Sequence, residues 1–436
     1  MKLSEHINNI KNNVNYRYTY VVAEIGINHN GDISEAIKLI RASKKTGCDA
    51  VKFQKRDLSS LYTDQILEDP NSAEWNFEYI IPILQEVELS RSDYLQIKKE
   101  CDLLCIDLII TPFDLESAQF CSTLNLDAFK IGSADMVNYD LIRECFSFKK
   151  PVIISTGMWT EEEIRNSVNE YKTFGDNDFF MLLANSTYPT PYESINLEFL
   201  AKLKLMHNLV GYSGHERGVF IPIAASSLGA RIIEKHITFD RAQSGPDHKA
   251  SMLPEEFTQM VSQLRCLELA SGSDKKVNQA EKLAKEVFAK SAYTNKDLQT
   301  GHILTSEDII FISPGKGIYR HQISGYIGKE IKCDIKKGNF LTKHHFEEIV
   351  RIRDWSLPKF SKEWGVKCRF HDFEKYKHLE SPVIEFHCSQ KDMDINFKGF
   401  SNTSQLVVHA PEIFDRKLVD ICSSDSEVVE GSLYLL

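Results

Sequence analysis

With 436 residues, the chain is long enough for two or three domains that each bury a core. Its 52 basic residues against 62 acidic ones leave a net charge of −10, which argues against a nucleic-acid-coating or membrane-surface protein but still allows a local basic pocket. Ten cysteines without a C-x-x-C pair predict free thiols, Cys101 and Cys105 on one helix face, in a reducing cytoplasm without a disulfide framework.

Residues 1–17 read as a leader in which Leu3, Ile7, Ile10 and Val14 are spaced for a short amphipathic helix, not a secretion signal. The most apolar window, 103–110, carries Asp107 and is too short to span a bilayer. From residue 18 to about 240, short β-rich runs alternate with helix-length amphipathic segments. Strands are predicted at 19–25, 50–55, 105–111, 128–131, 152–155, 179–185, 209–212 and 231–235. Helices are predicted at 34–46, 92–101 and 160–173, the last opened by a Thr160–Glu163 capping box. Eight such units predict an α/β fold, a (β/α)8 TIM barrel, with a doubly wound open sheet as the alternative. The connection 56–91 is too long for a simple crossover and is expected to lay an extra segment near the barrel mouth.

Strand ends in such a barrel converge on one face. The first offers Glu24, Asn28 and His29; the second Lys52 and Gln54; the third Thr111 and Asp114. The fourth carries Lys130, Ser133 and Asp135, the fifth Ser155 and Thr156, the sixth Asn185, Ser186 and Tyr188. The seventh gives Ser213, His215 and Glu216, and the eighth Lys235 and His236, followed by Asp247 and His248. Any one of these has a bland reading as a solvated strand end or a core residue. Eight at one structural address do not.

Lysines inside strands are costly without an anionic partner. Lys52 and Lys130, with the hydroxyls of Thr111, Ser133, Ser155, Ser186 and Ser213, make a cradle for a phosphate and a carboxylate on one small molecule. His215 and His236, from adjacent strands, can reach one divalent cation, leaving Glu24 and Asp135 for proton transfer or for positioning water.

The motifs AEIGINHNG, VKFQK, TPFD, KIGSAD, ISTGM, YPTP, GYSGH, EKH and GPDH fall in this order along residues 18–350, and with them the chain resembles the sialic acid synthase family. The resemblance implies condensation of phosphoenolpyruvate with an N-acylated hexosamine, similar to N-acetylmannosamine, to a nine-carbon 2-keto acid with release of phosphate. It implies Mn2+ or Mg2+ held by His215 and His236, so that His236 joins Glu24 and Asp135 as a catalytic group. Lys52, Thr111, Lys130, Ser133, Ser155, Ser186 and Ser213 resemble the phosphoenolpyruvate contacts, with Gln54, Tyr188 and Asp247 around the sugar and metal. Glu24 resembles the carboxylate that positions water or handles the sugar C1 oxygen. Two departures stand out: Asp135 replaces the family's usual Glu, and Leu183 and Ala184 precede the polar pair where relatives often carry LHC, making that wall more apolar.

The expected organisation is a leader (1–17), the barrel (18–272), a linker (273–288), a small domain of short strands and Gly turns (289–350) and an extension (351–436). The small domain resembles the antifreeze-like SAF domain of these synthases, which implies a domain-swapped homodimer in which it lids the partner's barrel. Ser313 stands where the family often has a lid arginine, which points to an acceptor other than ordinary N-acetylmannosamine. The extension reads either as an oligomerisation or docking appendage or as the opening βα units of an isomerase/epimerase-like barrel, its His371, His387 and His409 ligating only if further strands supplied the remainder. Two rival functions stay open: an inactive carbohydrate-binding or scaffolding relative, and a phosphoenolpyruvate aldolase relative using a sugar phosphate. Neither a nucleic-acid nor a membrane partner is expected.

Overall fold

The apolar runs become eight parallel strands: β1 (Tyr20–Gly26), β2 (Ala50–Lys55), β3 (Asp107–Pro112), β4 (Ala128–Ile131), β5 (Val152–Ser155), β6 (Phe179–Ala184), β7 (Val210–Gly214) and β8 (Ile232–His236). They pair in sequence order, and β8 closes onto β1 with His236 beside Glu24, so the sheet is a barrel and not an open doubly wound sheet. The computed structural model describes residues 1–70, 77–347, 365–369, 373, 382–387, 405–409, 413–414 and 417–418. Two compact units divide the chain, Met1–Lys276 and Val277–Leu436.

Strand alternation sorts the barrel's side chains. Tyr20, Val22, Ala50, Ile109, Ala128, Ile153, Phe180, Leu182 and Ile232 pack together inside. The opposite parity, including Val21, Ala23, Val51, Phe53, Met181 and Leu183, packs under the surrounding helices. Burial on both faces is why the strands read as nearly continuous apolar runs. Gly211 on β7 permits this filling, since a Cβ there would sit 2.5 Å from Leu182 Cδ2. The leader forms the helix Leu3–Asn12, whose Leu3 and Ile7 join the interior cluster. Asp107, the first residue of β3, accepts from Leu3 N (2.8 Å) and Tyr20 Oη (2.7 Å), which fixes that helix as a plug at the N-terminal end. The opposite rim is thereby left for chemistry.

The long β2–β3 connection contains the helices Leu58–Leu61, Asp64–Glu68 and Phe77–Val87 before Arg91–Leu104. That last helix ends at Cys105, which adopts a left-handed φ of 50°, so buried Cys101 and exposed Cys105 do not share a helix face as expected. The Thr160–Glu163 capping box opens the helix Glu161–Tyr171 as expected.

In the second unit a helix, Gln279–Phe288, occupies part of the expected linker. Antiparallel β9 (Ser291–Thr294) and β10 (Ile309–Ile312) follow, with single helical turns at Ser306–Asp308, Ile323–Gly325 and Lys343–Phe346. Ala292, Leu298, Leu304, Ile318, Ile331, Ile335 and Leu341 form the core. Ser313 donates to Phe288 O (3.0 Å), and the Arg320 guanidinium stacks on Phe311 at 4.6 Å. Further on, β11 (Gly365–Cys368), β12 (Val383–His387) and β13 (Gln405–His409) make a parallel sheet that sets His387 beside His409. His371 lies outside the described residues. No described helix is long and apolar enough to cross a membrane.

Candidate active site

At the C-terminal rim of the barrel, one cavity of about 630 Å³ is lined by Glu24, Lys52, Gln54, Thr111, Lys130, Ser133, Asp135, Ser155, Ser186, Tyr188, Ser213, His215, His236 and Asp247. The residues expected to hold substrate, metal or a proton thus line one cavity, whereas the strand-end groups Asn28, His29, Asp114, Glu216, Lys235 and His248 do not, and Thr156 and Asn185 line a second one. The extra β2–β3 segment contributes Leu61, Tyr62, Ile80 and Leu84 to the same cavity, as its length suggested.

The centre of the site is a buried charge cluster. Lys52 Nζ lies 3.2 Å from both Glu24 Oε2 and Glu234 Oε1, and it donates to Thr111 Oγ1 at 3.3 Å. Lys130 Nζ donates to Ser155 Oγ (2.6 Å) and Ile131 O (2.9 Å) and stands 4.0 Å from Glu234 Oε1. Ser213 donates to that same Glu234 oxygen at 3.0 Å. Burial works against the Lys52 ammonium, but Glu234 and Glu24 outweigh it and raise its pKa. Lys130 falls to about 8, because burial and Lys52 together overcome Glu234. Burial also opposes the charge on Glu234, yet Lys130 and Lys52 hold that carboxyl down at about 2. Glu24 moves upward, driven by burial with Lys52 opposing. The rim thus combines two ammonium groups with one firmly ionised carboxylate and one carboxyl that takes a proton more readily than usual.

Beside this cluster stand the two imidazoles, ring centroids 5.5 Å apart. His215 Nδ1 donates to Asn185 O at 2.6 Å, leaving Nε2 as its lone pair, the arrangement that orients a metal-ligating histidine. Burial pulls His215 down to about 3 and lowers His236, so both are neutral at physiological pH. Tyr188 stacks on His215 at 4.0 Å. His236 Nδ1 is buried without a hydrogen-bond partner, 3.5 Å from Asp247 Oδ2. Two neutral imidazoles, one tautomerically fixed and one with an unsatisfied nitrogen, fit a divalent cation. Among the described residues no group of three His, Cys, Asp or Glu gathers closely enough to hold one alone.

The same cavity carries the Ser133 and Ser186 hydroxyls, which flank Gly157. Gly157 N donates to Ser133 Oγ at 3.1 Å. A Cβ on Gly157 would collide with Ser186 Oγ and lie 2.7 Å from Ser133 Oγ, so only glycine leaves both hydroxyls in place. Asp135 is raised mainly by burial, against a hydrogen bond from Asn138 Nδ2 at 3.1 Å. Gln54 Nε2 donates to Glu24 Oε1 at 2.8 Å.

Other strand-end groups serve the scaffold. Lys235 points out of the barrel, donating to Glu216 Oε1 (3.0 Å) and Glu216 O (2.5 Å), while Tyr212 Oη donates to Glu216 Oε2 (2.6 Å). Asp114 caps the helix Leu115–Ser122, Asn28 Nδ2 donates to Ile237 O (2.8 Å) and His248 Nδ1 meets Thr238 Oγ1 (2.8 Å). The apolar-wall expectation for Leu183 and Ala184 is corrected: they line a separate cavity of about 710 Å³ with Ile164, Ile195 and Phe199. Odd-numbered residues of β6 face the helices, so Leu183 turns away from the charged rim. The sequence reading missed Glu234, Arg56 and Gly157. Period-two counting back from His236 would have found the first.

The fold is a closed (β/α)8 barrel, and the buried lysines, hydroxyls and neutral imidazoles at its rim have the chemistry to hold a small anionic ligand. Residues 39–276 match the NeuB family, and residues 289–347 match the SAF domain. An N,N'-diacetyllegionaminic acid synthase of Legionella pneumophila is 34% identical over 357 residues, covering 80% of this chain and 100% of that one. A pseudaminic acid synthase of Campylobacter jejuni is 33% identical, covering 75% of this chain and 96% of its own. Among solved structures, an N-acetylneuraminic acid (sialic acid) synthetase of Leptospira borgpetersenii aligns with a TM-score of 0.55 and 26% identity, over 62% of this chain and 90% of that one. The chain belongs to the NeuB family, whose named relatives are sialic-acid-type synthases.

Proposed function

We propose that the protein condenses phosphoenolpyruvate with an N-acylated hexosamine to a nine-carbon 2-keto acid, releasing phosphate. The observation that carries this reading is the buried Lys52–Glu234–Lys130 cluster beside two neutral imidazoles in one cavity. Lys52 and Lys130, with Thr111, Ser133, Ser155, Ser186 and Ser213, hold the phosphate and carboxylate. Gln54, Tyr188 and Asp247 orient the open-chain sugar. Mn2+ or Mg2+ held by His215 and His236 would supply Lewis-acid polarisation of the acceptor aldehyde.

Carbon 3 of phosphoenolpyruvate bonds to the aldehyde carbon, and the aldehyde oxygen takes a proton. Water adds at carbon 2, and the phosphate leaves with its bridging oxygen as carbon 2 becomes a ketone. Glu24 is assigned to orient that water and accept its proton, a role favoured by the upward push of burial on its carboxyl. Asp135 is assigned to a proton or to positioning on the acceptor side. The functional division proposed is barrel 18–272, linker 273–288, SAF domain 289–350 and extension 351–436, acting as a homodimer in the cytoplasm. The free thiols among the described cysteines suit a reducing compartment. The test is phosphate release from phosphoenolpyruvate with Mn2+ and a panel of N-acylated hexosamines. A folded protein that turns over none of them overturns the reading.

A further inference from the structure

Arg56 follows directly on β2 and lines the same cavity. Its guanidinium stacks on Phe113, 4.0 Å from the ring centroid, and donates to Gln54 Oε1. A guanidinium offers five N–H donors in a fixed fork. Among the described residues, Gln54 is the one acceptor it reaches, and it forms no ion pair with a carboxylate. A half-buried arginine aimed into a cavity with donors to spare calls for an oxygen-bearing ligand. The nearby charges narrow which oxygen. Lys55, the adjoining cation at the end of β2, is taken by Glu88 at 2.5 Å. Asp247 and Asp135 line the cavity within electrostatic reach of Arg56, while Lys52 and Lys130 of the same cavity are engaged with Glu24 and Glu234. A phosphate dianion beside Arg56 would meet one free positive charge and two carboxylates, whereas an uncharged carbonyl needs only donors. The β2–β3 segment that begins at Arg56 adds Leu61, Ile80 and Leu84 to the wall, and Phe113 completes an apolar surface suited to a methyl group. A carbonyl oxygen with an adjoining methyl is an acyl amide.

We propose that Arg56 sets acceptor specificity by binding the carbonyl oxygen of the acceptor's acylamino group, with the apolar side chains of the β2–β3 segment around the acyl methyl. This rests on the synthase reading above and names the residue that selects its acceptor. Arg56 also holds Gln54 Oε1, which leaves Gln54 Nε2 to donate to Glu24 Oε1 at 2.8 Å. A bound acyl group is thus linked through two side chains to the carboxylate at the reacting end.

The test compares wild type with Arg56→Met in steady-state phosphate release with Mn2+, using N-acetylmannosamine, mannose and N-acetylmannosamine 6-phosphate as acceptors. Wild type is expected to prefer N-acetylmannosamine to mannose. Arg56→Met should erase that preference by on the order of 10- to 100-fold in kcat/KM, while KM for phosphoenolpyruvate stays within about twofold. Equal losses with N-acetylmannosamine and mannose would overturn the proposal. So would a wild-type preference for the 6-phosphate that the variant abolishes, since Arg56 would then be a phosphate site. Should Arg56→Met fail to fold, Arg56→Lys carries the same comparison with a smaller loss of the same selectivity, because lysine lacks the planar fork. Where N-acetylmannosamine is not turned over, the comparison uses the N-acylated hexosamine of the panel that is, against its non-acylated parent. Wild-type inactivity with the whole panel overturns the synthase reading and this inference with it, and wild-type turnover with unchanged selectivity in the variant overturns this inference alone.

Discussion

Glu234→Gln tests the charge balance of the rim most directly. Lys130 Nζ stands 4.0 Å from Glu234 Oε1, and burial has already brought the lysine down to about 8 against the pull of that carboxylate. At that separation and an effective dielectric of about 20, one unit charge contributes about 4 kcal/mol, equivalent to about three pH units. Relaxation of the remaining groups trims this, so a downward move of about 2 is the working expectation. The sign follows from lysine being the cation below its pKa and neutral above it. In the wild type, phosphoenolpyruvate affinity should hold up to about pH 8 and weaken above it as Lys130 loses its proton. In Glu234→Gln the weakening should begin below neutral pH. At the acid end the variant should bind no worse than wild type, since a carboxylate facing the incoming anion has gone. Isothermal titration of phosphoenolpyruvate across this range reads both limbs. Coincident pH profiles for the two proteins would refute the view that Glu234 keeps Lys130 charged.

Three further outcomes follow from the same geometry. His236→Ala should abolish turnover and lose divalent metal on dialysis, measured by elemental analysis, with an unchanged circular dichroism spectrum; activity insensitive to chelators would contradict the metal assignment. Lys235→Met leaves Glu216 buried without its cation and should cost about 3–5 kcal/mol in urea unfolding; a loss under about 1 kcal/mol would mean the pair behaves as a solvated one. Gly157→Ala should raise KM for phosphoenolpyruvate at least several-fold with little effect on melting temperature, because the new methyl meets Ser133 Oγ and Ser186 Oγ; an unchanged KM would remove those hydroxyls from the binding cradle.

The barrel was legible because both sheet faces are buried, so each strand announces itself as an apolar run ended by polar residues. The same run conceals which way a given side chain points. Lys235 and Glu234 are adjacent and both buried, yet they face opposite sides of β8, one toward Glu216 and the other toward Lys52 and Lys130. Leu183 was misassigned for the same reason, being one residue beyond inward-facing Leu182. Counting in twos from a secure inward residue resolves both cases. His236 fixes Glu234 as inward, and Phe180 fixes Leu183 as outward.

Arg56 lies beyond the reach of that counting. It is the first residue after β2, where the period of two has ended, and no motif in the segment 56–91 marks it. Its direction is set by contacts that are distant in sequence or irregular in geometry: the Phe113 ring from the end of β3, and the Gln54 amide already turned toward Glu24. The strand-borne part of the site is therefore recoverable from periodicity, because the barrel imposes one inward direction on every second residue. The loop-borne part has no such constraint, and loops are where a shared barrel varies its choice of partner molecule. The charged cluster on the strands could be read from the sequence, whereas the placement of Arg56 in the same cavity is visible only in the structure.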